Sequence, residues 1–177
     1  YPFLGEPRLA PKPLVFSEAL SYLNLTGFYF PYTSEANVNV HMPALDLPFA
    51  MCHELAHTLG FMREDEANFI AYLACRSSDA PEFVYSGLVL ALTHSMNALY
   101  SVDYSRFEEL WHLYGDGLRR DYAAQGQYWK RYDTLAADVS EAVNNVYLKA
   151  NNQSDGTRSY GRMVDLLLAE YRMRHGG

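Results

Sequence analysis

The alternation of apolar and polar positions predicts a mostly helical chain with one short β segment near its N-terminus. The first sixteen residues carry four prolines and are expected to form an extended arm, because proline fixes φ and cannot donate a backbone hydrogen bond. A short helix over residues 17–24 follows, and the period-two pattern of residues 36–40 predicts a strand. No other part of the chain shows a comparable strand pattern.

Every segment after Pro48 shows the spacing of apolar residues that is typical of helices. Prolines, glycines and short polar runs mark where one helix ends and the next begins. The helices are predicted over residues 48–60, 63–77, 81–100, 103–115, 116–150 and 159–174, with a loop at residues 151–156. The predicted fold class is mainly α (α+β) in a single domain over residues 1–177, with an N-terminal arm and β element in residues 1–45 and a helical body in residues 46–177.

Residues 83–102 contain no charged side chain, and a stretch of this length could cross a bilayer. The same stretch holds serine, threonine, histidine and asparagine residues, which would be costly in lipid. We therefore expect a buried central helix of a globular domain here rather than a membrane span.

Composition and charge limit the classes of function. Of the 177 residues, 49% are hydrophobic and 20% are charged, which is ordinary for a folded domain and excludes a disordered chain. The net charge of −7 argues against nucleic-acid binding, which needs a basic surface. The two cysteines, Cys52 and Cys75, are too few for a four-cysteine zinc site. We expect them as buried free thiols, with a disulfide between them as the alternative.

Residues 53–57 read H-E-L-A-H, an H-E-x-x-H motif inside the first helix of the helical body. Its two histidines lie one turn apart on one helix face and can offer two imidazole nitrogens to a single metal ion. Glu54 is rotated by about 100° from His53, so its carboxylate points beside the metal, where a general base for a metal-bound water is needed. We therefore predict His53 and His57 as metal ligands, Glu54 as the catalytic base, and the other four histidines as structural or surface residues.

A catalytic zinc ion needs a third protein ligand and leaves its fourth position to water. Gly60 lets the chain turn back, and the next helix begins with two candidate carboxylates, Glu64 and Glu66. They lie about 200° apart around the helix, so only one can face the metal. Glu64 shares its face with Asn68 and with small residues that permit close approach to the first helix. We predict Glu64 as the third ligand. Asn68 is predicted to hold this ligand in place or to orient one of the histidines. Glu66, or an acidic turn without a metal, is the alternative.

At these residues the sequence resembles the gluzincins, zinc metallopeptidases in which a downstream glutamate joins the two histidines of H-E-x-x-H. Their third-ligand helix often reads E-x-x-[AC]-[DN], which residues 64–68 match. The metzincin pattern fails, because its third histidine would fall at Arg63. More closely, the chain is similar over nearly its whole length to a bacterial domain-of-unknown-function family (DUF3810), through residues 30–39, 53–75, 145–149 and 159–163.

The resemblance implies a helical, zincin-like domain that binds one Zn²⁺ ion and hydrolyses peptide bonds in a peptide or protein substrate. It also implies that the full-length protein is anchored in a membrane through N-terminal helices absent from this chain, with this domain soluble and extracytoplasmic. Two alternatives stay open: a non-catalytic metal-binding interaction domain, and a zinc hydrolase of a non-peptide amide. The sequence predicts neither the substrate sequence nor the oligomeric state.

Two further expectations concern the substrate. Asn37, Val38 and Asn39 lie in the predicted strand. In gluzincin-like folds such a strand is the edge strand that aligns an extended peptide; an ordinary structural strand is the alternative. An oxyanion that develops during hydrolysis also needs a stabilising group. Tyr160 and Arg158, which follow the predicted loop, are the leading candidates for this role, and we take Tyr160 as the catalytic one.

Overall fold

Seven helices and a small sheet make up the regular structure in this computed structural model, which describes residues 10–133 and 159–176 and, of residues 159–161, the backbone alone. The helices are α1 (Ser17–Tyr22), α2 (Leu47–Thr58), α3 (Glu64–Arg76), α4 (Pro81–Val102), α5 (Tyr104–His112), α6 (Asp116–Arg131) and α7 (Ser159–His175). The strands are β1 (Lys12–Pro13), β2 (Gly27–Phe30) and β3 (Glu35–Val38). The described part is mainly helical with a small β element near its N-terminus, so the predicted fold class is confirmed.

The sheet has the strand order β1-β3-β2, which makes β3 its central strand. β2 runs antiparallel to β3, with Gly27 opposite Val38, and β1 runs parallel to β3 on the other side. The strand predicted at residues 36–40 is confirmed as β3. β1, of two residues, is too short for a period-two pattern to reveal, and β2 reads Gly-Phe-Tyr-Phe, which shows no alternation of apolar and polar residues.

Helices α2, α3, α4 and α7 enclose the main hydrophobic core. Ala67, Ala71 and Cys75 form a stripe of small, fully buried side chains along α3, which lets the neighbouring helices approach its backbone. Gly87 on α4 lies against this stripe, since a Cβ atom there would be 2.5 Å from the Cβ of Cys75. Both cysteines, Cys52 and Cys75, are free thiols. The close packing fixes the relative position of α2 and α3, the two helices that carry the predicted metal ligands.

α4 corresponds to the charge-free stretch of residues 83–102 and belongs to the globular body, as predicted. It packs against α2, α3, α5 and α7, and its buried residues include Ser86, Val89 and His94. Leu88 on the same helix is half exposed. Within the part of the chain that is described, no helix has the length and apolarity that crossing a bilayer requires.

α6 is shorter than predicted. The pattern indicates a helix over residues 116–150, but α6 ends at Arg131. The next residue, Tyr132, is buried, and its ring packs edge-on against the ring of Tyr22 in α1, 4.8 Å away between centroids. The helix therefore ends where the chain contacts a distant element, which helical periodicity does not report. Residues 134–158, with the predicted loop, lie outside the described residues.

α6 docks beside the N-terminal end of α2. Tyr128 and Trp129 of α6 pack against a second, smaller hydrophobic cluster, which consists of Val38, Met42 and Ala50. α5, which precedes α6, begins at the predicted cap: Oδ1 of Asp103 accepts a hydrogen bond from the backbone N–H of Arg106. The sheet, α2 and α6 therefore meet at the N-terminal end of α2.

Candidate metal centre

Two histidines face each other on the C-terminal half of α2. His53 and His57 lie one turn apart, and their Nε2 atoms are 3.0 Å apart with the rings nearly perpendicular, at 89°. Two imidazole nitrogens that both carry lone pairs repel each other at this distance. The arrangement is therefore favourable only when a proton or a metal ion lies between them.

The turn after α2 sets the orientation of His57. Gly60 has a φ of 93°, in the left-handed region that favours glycine, and its N–H donates to the carbonyl of His57. The turn brings the carbonyl oxygen of Phe61 to 2.7 Å from Nδ1 of His57. A carbonyl can only accept, so Nδ1 carries the proton and Nε2 keeps its lone pair for a metal ion. The turn that the sequence predicts at Gly60 thus also orients a ligand.

Glu64, the first residue of α3, brings the third donor to the histidines. Its Oε2 lies 3.3 Å from Nε2 of His53, and its Oε1 lies 3.7 Å from Nε2 of His57. Glu66 points elsewhere: its side chain is 48% exposed and pairs with Arg63 at 3.7 Å. Of the two glutamates that the sequence leaves open, Glu64 is therefore the one that lies with the histidines.

The three donor groups, two imidazoles and one carboxylate, form a triangle whose dimensions suit a zinc ion. Donors about 2.0 Å from a tetrahedral ion are separated from one another by about 3.3 Å. The two Nε2 atoms are 3.0 Å apart, and the two oxygens of Glu64 lie 3.3 Å from one and 3.7 Å from the other, so these distances bracket this value. Two imidazoles and a carboxylate are also a ligand set that zinc accepts. Among the residues that the structure describes, no fourth histidine, cysteine, aspartate or glutamate joins the group.

Glu54 lies beside this triangle and is almost fully buried, with 4% of its surface exposed. No group in the described residues hydrogen-bonds to its Oε2. Burial raises the pKa of Glu54 to about 7, against the opposing effect of the charge on His53. A carboxyl group with a pKa near neutrality can both accept and release a proton during a reaction at neutral pH.

The charges at the centre depend on one another. Burial opposes protonation of His53, but the contacts with Glu64, Glu54 and Asn68 outweigh it and raise the pKa of His53. Burial and the charge on His53 together lower the pKa of His57. Burial opposes ionisation of Glu64, yet the two histidines hold the pKa of its carboxyl below the ordinary value. A neutral imidazole and an ionised carboxylate are the forms that bind a metal ion. Asn68 lies next to His53, where its predicted supporting role requires it.

β2 runs along the C-terminal half of α2. Gly27 lies so close to α2 that a Cβ atom there would be 2.8 Å from Cγ and Oε1 of Glu54, and 2.6 Å from the carbonyl oxygen of Asn37. Tyr29, two residues further on the same face of the strand, has its ring centroid 6.2 Å from that of His57. The strand order makes β2 an edge strand of the described sheet. The edge strand beside Glu54 is therefore β2.

The prediction that Asn37, Val38 and Asn39 form the edge strand for a substrate is wrong. β3 is paired on both sides: the N–H of Leu14 donates to the carbonyl of Val38, and the N–H of Asn39 donates to the carbonyl of Thr26. The side chains of Asn37 and Asn39 are buried and donate to backbone carbonyls. A strand whose backbone groups are already paired has none left for a peptide, so the alternative of a structural strand holds.

A cavity of about 400 Å³ opens beside two of the three donor residues, His53 and Glu64, and is bounded mainly by residues of α2, α3, α4 and α6. Asp46 also lines it, two helical turns away from His53 along α2. Phe49, Val89 and Leu90 are among its apolar lining residues, and the polar groups that hydrogen-bond to Asp46 are Gln125 and Trp129. The candidate centre is thus accessible from a cavity large enough for part of a ligand.

Sequence reasoning missed two residues of this cavity. His94 on α4 is expected from the sequence to be structural, yet it is buried in the cavity wall, and burial lowers its pKa to about 4. Asp46, the residue before α2, is not among the candidates that the sequence predicts. One signal for Asp46 is present in the spacing, because it precedes His53 by seven residues and so lies on the same face of α2.

Tyr160 lies in the first turn of α7, and its side chain is outside the described residues. Its part in stabilising an oxyanion therefore stays a prediction, and Arg158 lies outside the described residues altogether. α7 itself packs against α3 and α4. The helix that carries Tyr160 thus belongs to the body that holds the candidate centre.

Fold and site together define a mainly helical protein with a candidate three-ligand metal centre on two adjacent helices. Residues 1–168 match the family described as protein of unknown function (DUF3810). The chain belongs to this family, which confirms the resemblance seen in its sequence. No curated protein and no solved structure matches the chain. Because the family description names no activity, the function has to be inferred from the residues.

Proposed function

We propose that this protein is a zinc-dependent peptidase with His53, His57 and Glu64 as its metal ligands. The observation that carries the proposal is the triangle of their donor groups, with 3.0 Å between the two Nε2 atoms and 3.3 and 3.7 Å from these to the two oxygens of Glu64. The buried carboxylate of Glu54 beside that triangle adds the group that hydrolysis needs. Three ligands without a fourth in the described residues are typical of a catalytic rather than a structural zinc site.

In this proposal, zinc when bound supplies an acidified water as the nucleophile and polarises the carbonyl group under attack. Glu54 acts as general base and then as general acid. Its carboxylate accepts a proton from the attacking water and then donates it to the nitrogen of the leaving amine. In the chain alone, burial raises the pKa of Glu54 to about 7, close to the range in which a carboxyl group can take part in both steps. The Phe61 carbonyl holds the His57 ring in the tautomer that leaves Nε2 available.

The position of β2 favours a peptide as the substrate. A peptide in extended conformation can add to an exposed sheet edge through backbone hydrogen bonds. β2 is the edge strand beside α2, with Gly27 against Glu54 and Tyr29 next to His57. A substrate strand paired with the outer side of β2 would run along the helix that carries the general base.

The proposal is tested with the zinc-loaded chain, its Glu54→Gln variant and a mixed peptide library analysed by mass spectrometry. We expect about one zinc per chain in both proteins, and hydrolysis by the wild type that falls by at least ~100-fold in the variant, because the base is lost and the ligands are kept. Glu66→Gln is the matched control, since Glu66 is exposed and away from the donors. It should keep both zinc and activity.

Full activity in Glu54→Gln would contradict the mechanism. Stoichiometric zinc without hydrolysis of any amide would favour a metal-binding interaction domain, and hydrolysis of non-peptide amides alone would favour that other class of zinc hydrolase. Tyr160→Phe tests the predicted oxyanion group, with kcat expected to fall while zinc affinity stays unchanged. Anchoring of the full-length protein in a membrane, with this domain outside the cytoplasm, remains part of the proposal.

A further inference from the structure

Asp46 stands at the N-terminus of α2 but does not cap the helix. An aspartate at this position normally accepts hydrogen bonds from the first backbone N–H groups of its own helix. Here the side chain makes no such bond. Its Oδ1 accepts a hydrogen bond from the side-chain amide of Gln125, and its Oδ2 accepts one from the indole N–H of Trp129 at 3.3 Å. Two residues of α6 therefore hold the carboxylate away from the helix end and at the wall of the cavity.

The carboxylate lies in line with the candidate metal centre. Asp46 and His53 are seven residues apart, which places them on the same face of α2 and about 10 Å apart along its axis. Both line the same cavity, whose apolar lining residues include Phe49 of α2 and Val89 of α4. A ligand whose reacting bond lies at the metal centre can therefore reach Asp46 without leaving the cavity.

Asp46 has hydrogen-bond donors but no counter-charge. Within the described residues, its two partners are neutral and it forms no ion pair. Burial raises the pKa of its carboxyl, which the two donors only partly oppose. A carboxylate has four lone-pair sites, of which the two donors use two, so it can accept further hydrogen bonds from a ligand. An ammonium or guanidinium group would supply both the missing charge and the missing donors.

We propose that Asp46 binds a cationic group of the substrate and so makes the cavity selective for positively charged peptides. The proposal rests on the peptidase function and names the substrate class for the same site. The ligand chemistry is an ammonium or guanidinium group about 10 Å from the scissile bond.

Two parts of a peptide can present such a cation. The long side chain of a lysine or arginine next to the scissile bond covers most of the distance to Asp46. A free α-amino group two residues upstream of the scissile bond lies about 7 Å from it in an extended chain and also approaches the carboxylate. Acetylation of the peptide N-terminus removes the second cation and leaves the first.

The experiment uses the zinc-loaded full chain and peptides that differ at one position, which carries lysine, acetyl-lysine or methionine. Each peptide is prepared with a free and with an acetylated N-terminus. Hydrolysis gives kcat/KM for the wild type, and binding to Glu54→Gln, measured by calorimetry, gives an affinity that does not depend on turnover. Asp46→Asn is then compared with Asp121→Asn, a change on α6 at a carboxylate that accepts from Tyr85 and does not line the cavity.

We expect the wild type to prefer the cationic peptide over its neutral counterpart by roughly 10- to 100-fold. The preference should disappear in Asp46→Asn and remain in Asp121→Asn. A merely structural role of Asp46 would lower the melting temperature and the activity on all peptides alike, without changing their ratio. Comparison of the wild type on lysine and acetyl-lysine peptides tests the selectivity even if Asp46→Asn does not fold.

Hydrolysis without a preference for cationic peptides would overturn this inference and leave the peptidase function intact. In another outcome, the Glu54→Gln variant binds cationic peptides selectively and loses this selectivity when Asp46→Asn is added, while the wild type hydrolyses no peptide. That result would support the cation site and overturn the peptidase function. Absence of both binding and hydrolysis would overturn both. A preference for lysine over acetyl-lysine would identify the side chain as the cation, and a preference for the free over the acetylated N-terminus would identify the α-amino group.

Discussion

The two ends of α2 hold two sites that are built in different ways. At the C-terminal end, His53, Glu54 and His57 come from one helical turn, and Glu64 follows after a short turn. At the N-terminal end, Asp46 is held by Gln125 and Trp129, which are 79 and 83 residues away in sequence. The first site follows from local spacing, whereas the second exists only because α6 docks onto α2.

The difference shows why a short motif predicts a candidate metal centre but not the groups that surround it. Helical geometry puts the two histidines on one face whatever the rest of the chain does. Glu64 needs only the Gly60 turn and the small residues of α3 to approach them. The docking of Trp129 depends on a hydrophobic cluster that joins the sheet, α2 and α6, and no local pattern reports it.

The largest expected effect is the rise in melting temperature on zinc binding, which should be lost in a variant of the site at the C-terminal end of α2 and kept in one of the site at its N-terminal end. At a zinc concentration about 1,000-fold above Kd, binding should stabilise the fold by about 4 kcal/mol. Glu64→Ala should lose most of this zinc-dependent rise in melting temperature, because a donor is removed, while Glu66→Ala should retain it. Asp46→Asn should retain it as well. Differential scanning fluorimetry with and without zinc measures the rise, and its loss in Asp46→Asn would show that the two ends are not independent.

A second comparison concerns the packing against each end. Gly27→Ala should destabilise the protein by about 1–3 kcal/mol and impair activity, because the new Cβ would clash with Glu54 and with the backbone of β3. Gly126→Ala, in the exposed part of α6, should instead stabilise it by about 0.5–1 kcal/mol, because no atom lies near the new Cβ and alanine favours a helix. Chemical denaturation gives both values. Equal tolerance at the two positions would contradict the close approach of β2 to α2.

The smallest expected effect lies at the turn between the ligands. Gly60→Ala should cost about 1 kcal/mol, because a φ of 93° is unfavourable for any residue with a Cβ atom. It should also weaken zinc binding by roughly tenfold, because the Phe61 carbonyl that orients His57 would move. Gly117→Ala, at a position with open space around it, is the control. Unchanged zinc affinity in Gly60→Ala would show that the turn is not needed to orient the ligand.

The structure confirms the sequence predictions that depend on neighbouring residues. The helices from α2 to α5 begin and end within a few residues of the predicted bounds, because prolines, glycines and the Asp103 cap act locally. Glu64 rather than Glu66 lies with the two histidines, as the sequence favours, because the angle between the two glutamates around α3 is a property of the helix itself.

The predictions that depend on distant contacts are the ones that failed. α6 ends near residue 131, and the next residue, Tyr132, is buried against α1. Asn37–Asn39 do not form a sheet edge, because β1 and β2 pair with β3 on its two sides. The partner strands on either side leave no trace in the period-two pattern of β3.

The sequence by itself determined the mainly helical fold, the two histidines on one face of α2, the carboxylate beside them and the glutamate that begins the next helix. These depend on 3.6-residue periodicity and on turns of a few residues, which are properties of the local chain. Only the tertiary structure decided that β2 lies against Glu54 and that α6 holds Asp46 in the cavity. Both depend on packing between segments that are far apart in sequence, and such packing is set by the shape of the whole core.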